Sequence, residues 1–193
     1  MKKLVYILLV VASAISLSSC SGYNKMVEKQ EAVTSQWANV QNAYQRRADL
    51  IPNLVNTVKG YASHEQETFT QVTEARSKAT QTTINPENLT KESLQEYQQA
   101  QNQLSQALGR LLLIQENYPE LKANQNFLAL QDELAGTENR ISVERNRFNQ
   151  LAQDYNSYIR KFPQVIYAKW FKFDSKAYFE ATPEAQTAPQ VQF

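Results

Sequence analysis

The sequence predicts an all-α protein: an elongated antiparallel bundle of three long helices, the first of them kinked, closed by a short C-terminal helix or flap. Two observations carry this. Phe127, Leu134, Ile141, Phe148, Tyr155 and Phe162 recur every seven residues, and Leu130, Leu151 and Tyr158 add a second line three residues behind members of the first. That is the apolar seam of a helix and not the alternation of a strand. No proline interrupts the chain between Glu120 and Phe162, so the seam belongs to one rod that at about 1.5 Å per residue reaches roughly 60 Å. A stripe that long is buried only by partners of similar length.

The first partner begins at Met26. Val33, Trp37, Val40, Tyr44, Ile51, Leu54, Val55, Val58, Tyr61 and Ala62 follow in steps that suit one face of a helix, and the pattern carries on through Phe69, Val72 and Arg76 until Asn85-Pro86 stops it. Pro52 lies inside this stripe. A proline there removes a backbone donor and presses on the preceding turn, which predicts a kink between Arg47 and Asn53; the alternative is a complete break with Pro52 opening a new helix. The kink is preferred because Ile51 would be a poor N-cap and the stripe does not lapse.

Thr90 is the expected N-cap of a second helix bearing Leu94, Tyr97, Leu104, Leu108, Leu111 and Tyr118, its Gln-rich first half mostly solvated and its second half buried. Tyr118-Pro119 ends it, and Glu120 starts the third helix, antiparallel to the second because the connection is short. Gly136 interrupts that third helix, so either the site tolerates the loss or another backbone approaches closely. Between Val165 and Phe179 eight apolar residues crowd together with Lys169, Lys172 and Lys176; they are expected to cap the core, with contact between Trp170, Phe171, Phe173 and lipid headgroups as the alternative. Residues 181–193 have the composition of a disordered tail.

Composition narrows the function. Twenty basic residues stand against 19 acidic ones, with one Cys, one His and four Gly. There is no concentrated basic surface for nucleic acid, no internal disulfide, and no conventional His-based metal site. At the N-terminus Lys2 and Lys3 precede an apolar run from Leu4 to Leu17 and then Ser18-Ser19-Cys20. This run of 14 residues reaches only about 21 Å as a helix, short of a hydrocarbon core near 30 Å, so residues 1–19 read as a signal peptide. Leu17-Ser18-Ser19-Cys20 resembles a bacterial lipobox, which would make Cys20 the lipidated N-terminus of a tether, residues 20–25, ahead of a bundle domain at residues 26–180. Loss of Lys2 and Lys3 takes the 20 basic residues to 18 against 19 acidic, a formal charge of −1. An uncleaved signal anchor is the alternative; both place the bundle outside the cytoplasm, facing the periplasm.

Catalysis finds little support. His64-Glu65 lacks the second His of a zinc-binding helix, and neither a Gly-rich phosphate loop nor a Gly-x-Ser-x-Gly elbow is present. No cofactor is implied. Two polar groups fall on or beside apolar stripes: Arg46, Arg47 and Asp49 before Pro52, and Glu138, Asn139 and Arg140, with Glu144 and Arg145, midway along the third helix. The preferred reading is a buried network that fixes helix register. The alternative is a groove for a partner or ligand.

The stretch from Arg46 to Val55 (Arg-Arg-Ala-Asp-Leu-Ile-Pro-Asn-Leu-Val), continued by Val58-Lys59-Gly60-Tyr61-Ala62 and His64-Glu65, is similar to the first signature of the LemA family. Tyr118-Pro119-Glu120-Leu121-Lys122-Ala123-Asn124-Gln125-Asn126-Phe127 resembles the second, and Gly136-Thr137-Glu138-Asn139-Arg140-Ile141 the third. Tyr155-Asn156, Phe162-Pro163 and Phe179-Glu180 also fit. Trp170-Phe171-Lys172-Phe173 departs from a Gly-containing turn usual in that family, and the lipobox replaces the transmembrane helix of many members. The resemblance implies a helical bundle and no known reaction; some relatives are associated with envelope stress, membrane proteases or specialised membrane organelles. The expectation is a membrane-tethered scaffold that binds another cell-envelope protein, with a homo-oligomer also compatible. The rival is a protein that shapes or senses the bilayer; an envelope enzyme ranks third.

Overall fold

The computed structural model describes residues 21–180 in full and the helical backbone of the first helix back to Lys2. The expected signal peptide at residues 1–19, Cys20 and the expected disordered tail at residues 181–193 lie outside the fully described residues. Among the described residues six α-helices follow one another: α1 (Lys2–Lys59), α2 (Gln66–Gln81), α3 (Lys91–Leu113), α4 (Pro119–Lys122), α5 (Gln125–Arg160) and α6 (Gln164–Trp170). No strand occurs among the described residues.

The long helices run alternately up and down. Gln36 meets Glu144, Arg46 meets Glu133, and Tyr61 meets Asn124, so α1 and α5 are antiparallel. Arg76 reaches Ala48 and Gln101 reaches Ala79, which sets α2 antiparallel to both α1 and α3. Residues 21–25, read from the sequence as tether, already belong to α1, where Tyr23 packs edge-on against Phe171 and Phe173.

The expected first helix is therefore two helices. Lys59 ends α1, residues 60–65 turn, and α2 folds back alongside it, so the bundle has four long rods instead of three. The apolar steps from Val58 through Ala62 to Phe69 stay helical in period across the turn, and a period reports which residues face the core but not the direction of the chain. Pro52 does not break α1, and its own side is solvent-exposed.

The third helix starts later than expected. Pro119 opens the single turn of α4, and Asn124 then caps α5, its Oδ1 accepting from the Phe127 amide at 2.9 Å. Thr90 caps α3 as expected, with Ser93 returning the bond to the Thr90 amide. The seam of α5 is buried from Phe127 to Tyr155, but its last member, Phe162, is 81% exposed because the helix ends at Arg160. A Cβ placed on Gly136 would meet nothing within 4 Å, so no neighbouring backbone accounts for this glycine.

The core is in two parts. One gathers Trp37, Tyr97, Phe148 and Tyr155 near α6; the other gathers Phe69, Leu104, Leu111 and Phe127 near α4. Beyond α6 the chain turns at Lys172, in the left-handed region at φ 57°, and residues 173–180 lie extended along α5. Two amides hold this strap. Asn156 accepts from the Lys176 amide (2.8 Å) and donates to its carbonyl (2.8 Å), and Asn149 does the same for Phe179 (2.8 and 2.9 Å). Seven residues of helix and three of extended chain both span about 10 Å, so the two clamps share a spacing. Phe179 then stacks on Trp37 at 5.9 Å and closes the first core.

Candidate functional site

At the level where the two cores meet lies a polar layer. On α1 it falls between Tyr44 and Ile51, on α3 between Tyr97 and Leu104, and on α5 between Leu134 and Ile141. Arg47 fills it and is 1% exposed. Its Nη1 donates to Glu138 Oε1 at 2.6 Å and to Ser105 Oγ at 2.8 Å; its Nη2 donates to Gln101 Oε1 at 2.6 Å and to the Gln101 carbonyl at 3.3 Å. The Gln101 amide in turn donates to the Ala79 carbonyl of α2 at 3.1 Å. One guanidinium thus ties α1 to α3 and α5, and through Gln101 to α2. Glu138 keeps 46% of its side chain in water, which spares the pair the cost of burying both charges.

The surroundings of Arg47 suit structure better than chemistry. Its guanidinium lies 5.1 Å from the Tyr44 ring. Burial pushes the Tyr44 and Tyr97 hydroxyls above their ordinary range; Arg145 and Arg47 oppose the shift at Tyr44, whereas the neighbouring Tyr44 adds to it at Tyr97. Both hydroxyls move away from neutral pH, the reverse of what a general acid or base requires.

The other expected residues separate. Arg46 and Arg140 line a groove between α1 and α5 of about 710 Å³, together with Asn39, Asn42, Glu133 and Arg147, and Gly136 leaves one wall open. Arg46 pairs with Glu133 at 3.0 Å, and Arg140 lies 3.6 Å from Glu144. Glu144 is largely covered and accepts from the buried Gln36 amide at 2.7 Å. Asp49 takes a bond from Gln45 on the surface, and Asn139 is exposed and belongs to neither the layer nor the groove. Arg145 joins the strap, donating to the Glu180 carbonyl at 3.1 Å.

Gln101, Ser105 and Gln36 were not foreseen. The expectation that the Gln-rich half of α3 is solvated fails at Gln101, which is buried because Arg47 requires a neutral acceptor from α3. The available signal was its place midway between Tyr97 and Leu104 on the stripe. His64 is exposed in the α1–α2 turn. Among the described residues no three His, Cys, Asp or Glu side chains converge.

The chain is 24% identical over 159 residues to Protein LemA of Metamycoplasma hominis, covering 82% of this chain and 69% of that protein. It is 26% identical over 189 residues to Magnetosome protein MamQ of Magnetospirillum gryphiswaldense (88% and 70%), and 25% identical over 182 residues to Magnetosome protein MamQ 2 of Paramagnetospirillum magneticum (86% and 67%). Neither name is that of an enzyme. Residues 36–193, which hold the polar layer, the groove and the strap, match the LemA family, and the chain belongs to that family.

Proposed function

We propose that this protein is a scaffold of the bacterial cell envelope, held at the membrane through a lipidated Cys20, facing the periplasm, and binding another envelope protein through the groove between α1 and α5. The observation that carries this reading is the division of labour between neighbouring arginines. Arg47 is consumed inside the bundle, whereas Arg46, Arg140 and Arg147 line an open polar cleft that the cores do not need. Asn39 and Asn42 add hydrogen-bonding groups, and paired guanidinium groups suit carboxylates on a partner surface.

A photoreactive side chain placed at Arg147 in the full chain, in living cells, tests this. A discrete adduct with one other envelope protein is expected, and a control at Glu67 on α2 should give none. Adducts only with a second copy of the chain would replace the partner by self-association, and no adduct would remove the groove from the account. Mass spectrometry of the mature N-terminus tests the anchor at Cys20.

A second reading, a protein that shapes or senses the bilayer, is favoured by one feature: the apolar residues left exposed on and around α6.

A further inference from the structure

The segment expected to cap the core does so with only half its surface. Ala168, Phe173 and Phe179 pack on the first core, with Tyr167 half-buried beside them. Phe162, Ile166, Trp170 and Phe171 face outward, Trp170 at 78% exposure. Ile166 and Trp170 are one helical step of four apart and so share a face of α6. Isolated exposed apolar residues are ordinary; four within ten positions of one another are not.

Two further observations identify what covers them. Lys161, Lys169 and Lys172 are all exposed, and no acid lies between Lys161 and Phe173, in a chain whose charges otherwise nearly cancel. Aromatic rings flanked by lysines are the side chains that settle in an anionic headgroup layer. The second observation is position. Phe171 packs on Tyr23 at 5.0 Å, and Tyr23 follows Cys20 by three residues and the end of the Leu4–Leu17 run by six. The three residues of helix from Cys20 to Tyr23 measure about 4.5 Å, within the depth of the headgroup layer.

We infer that this face is a membrane-docking surface: Phe162, Ile166, Trp170 and Phe171 lie in the headgroup layer of the bilayer that holds the N-terminus, with the three lysines on anionic lipid. The inference rests on the reading that the N-terminus is membrane-held, and it adds an orientation. Asn39 and Arg46 lie 16 and 23 residues beyond Tyr23 along α1, so docking holds the groove about 25–35 Å from the surface. A partner would be met at that height and not at the lipid.

The chain's two tryptophans make the test direct, because Trp37 is fully buried and Trp170 is not. The full chain is reconstituted into phosphatidylethanolamine–phosphatidylglycerol vesicles whose acyl chains are brominated near the carbonyl end. The expected result is quenched, blue-shifted emission that disappears in Trp170→Phe and weakens in the triple variant Lys161→Glu, Lys169→Glu, Lys172→Glu, while both variants still float with the vesicles. Flotation without quenching would overturn docking and leave the tether standing. Absence of flotation would overturn the tether and docking together. A blue shift that depends on protein concentration and escapes bromine would mean that a second copy covers the face, and would also overturn the proposal.

Discussion

The Nε of Arg76 donates to the carbonyl of Ala48 at 2.7 Å, across the gap between α2 and α1. Ala48 is four residues before Pro52, so its carbonyl is the acceptor that the missing Pro52 amide cannot serve. The bond explains how α1 carries a proline in its interior without ending there. The solvent-facing position of Pro52 leaves the core side of the turn intact, and the returning helix supplies the absent donor.

That relationship predicts a coupling. Arg76→Met should cost about 1–3 kcal/mol, the range for orphaning a half-buried acceptor of a charged donor. In a Pro52→Ala background the cost should fall, because the substituted alanine restores an amide opposite the Ala48 carbonyl. Urea unfolding of the two single variants and the double variant measures the coupling. Equal costs in both backgrounds would mean that the bond does not compensate for the proline.

The strap should open before the bundle. Asn149→Ala leaves the amide and carbonyl of Phe179 without their partner and should cost about 1–3 kcal/mol. Asn156→Ala should behave alike at Lys176. Amide exchange is expected to accelerate first over residues 173–180, with α2 and α3 unaffected. Uniform acceleration through all the helices would show that the strap is integral to global folding.

Lys172 should be a site of cheap stabilisation. At φ 57° a side chain costs about 1–2 kcal/mol that glycine does not incur, offset in part by glycine's greater freedom when unfolded. Lys172→Gly should raise the melting temperature modestly, and a lower one would contradict the turn described.

Alkaline pH should unfold the protein through its tyrosines. Burial raises the Tyr155 hydroxyl to about 12, with Asp174 adding to the shift, and raises Tyr44 and Tyr97 in the same direction. Folded values above the ordinary 10.0 mean that this contribution is complete below pH 10.0 and is lost as pH rises through the folded values. Lys176 has the opposite sign. Burial holds its ammonium below the ordinary 10.5 despite Asp174 and Glu87, so its cost to the folded state is relieved as pH climbs toward 10.5. Stability should therefore rise slightly and then fall steeply beyond pH 10.0. Lys176→Met should abolish the rise and keep the fall.

What the sequence could disclose followed from what a period encodes. Phe127, Leu134, Ile141, Phe148 and Tyr155 announced their helix, and Thr90 announced its cap, because both signals are local. The reversal after Lys59 was hidden, since Val58, Ala62, Phe69 and Val72 keep in phase on either side of it. Arg47 was legible as a charge on an apolar stripe, and so was Glu138 beside it. Gln101 was not, because a glutamine among glutamines shows nothing until its neighbour across the core is known. A capping flap was expected from its crowded apolar residues, but its two clamps were hidden for the same reason: Asn149 and Asn156 lie seven apart like their neighbours Phe148 and Tyr155, and what they hold is backbone from distant sequence.

Arg47 and Gly136 separate the structural role from the recognition role most directly. Arg47→Met should cost about 1–3 kcal/mol, since it strands the Gln101 side chain in the core while Glu138 can turn to water. Gly136→Trp points into the open groove and should leave folding close to that of the natural chain. Melting temperature and partner adducts at Arg147 should be measured for both variants in the full chain. If register-fixing resides in Arg47 and recognition in the groove, Arg47→Met melts earlier and keeps the adduct where folded, and Gly136→Trp melts normally and loses it. Unchanged melting with a lost adduct for Arg47→Met, and a retained adduct for Gly136→Trp, would contradict that division of roles.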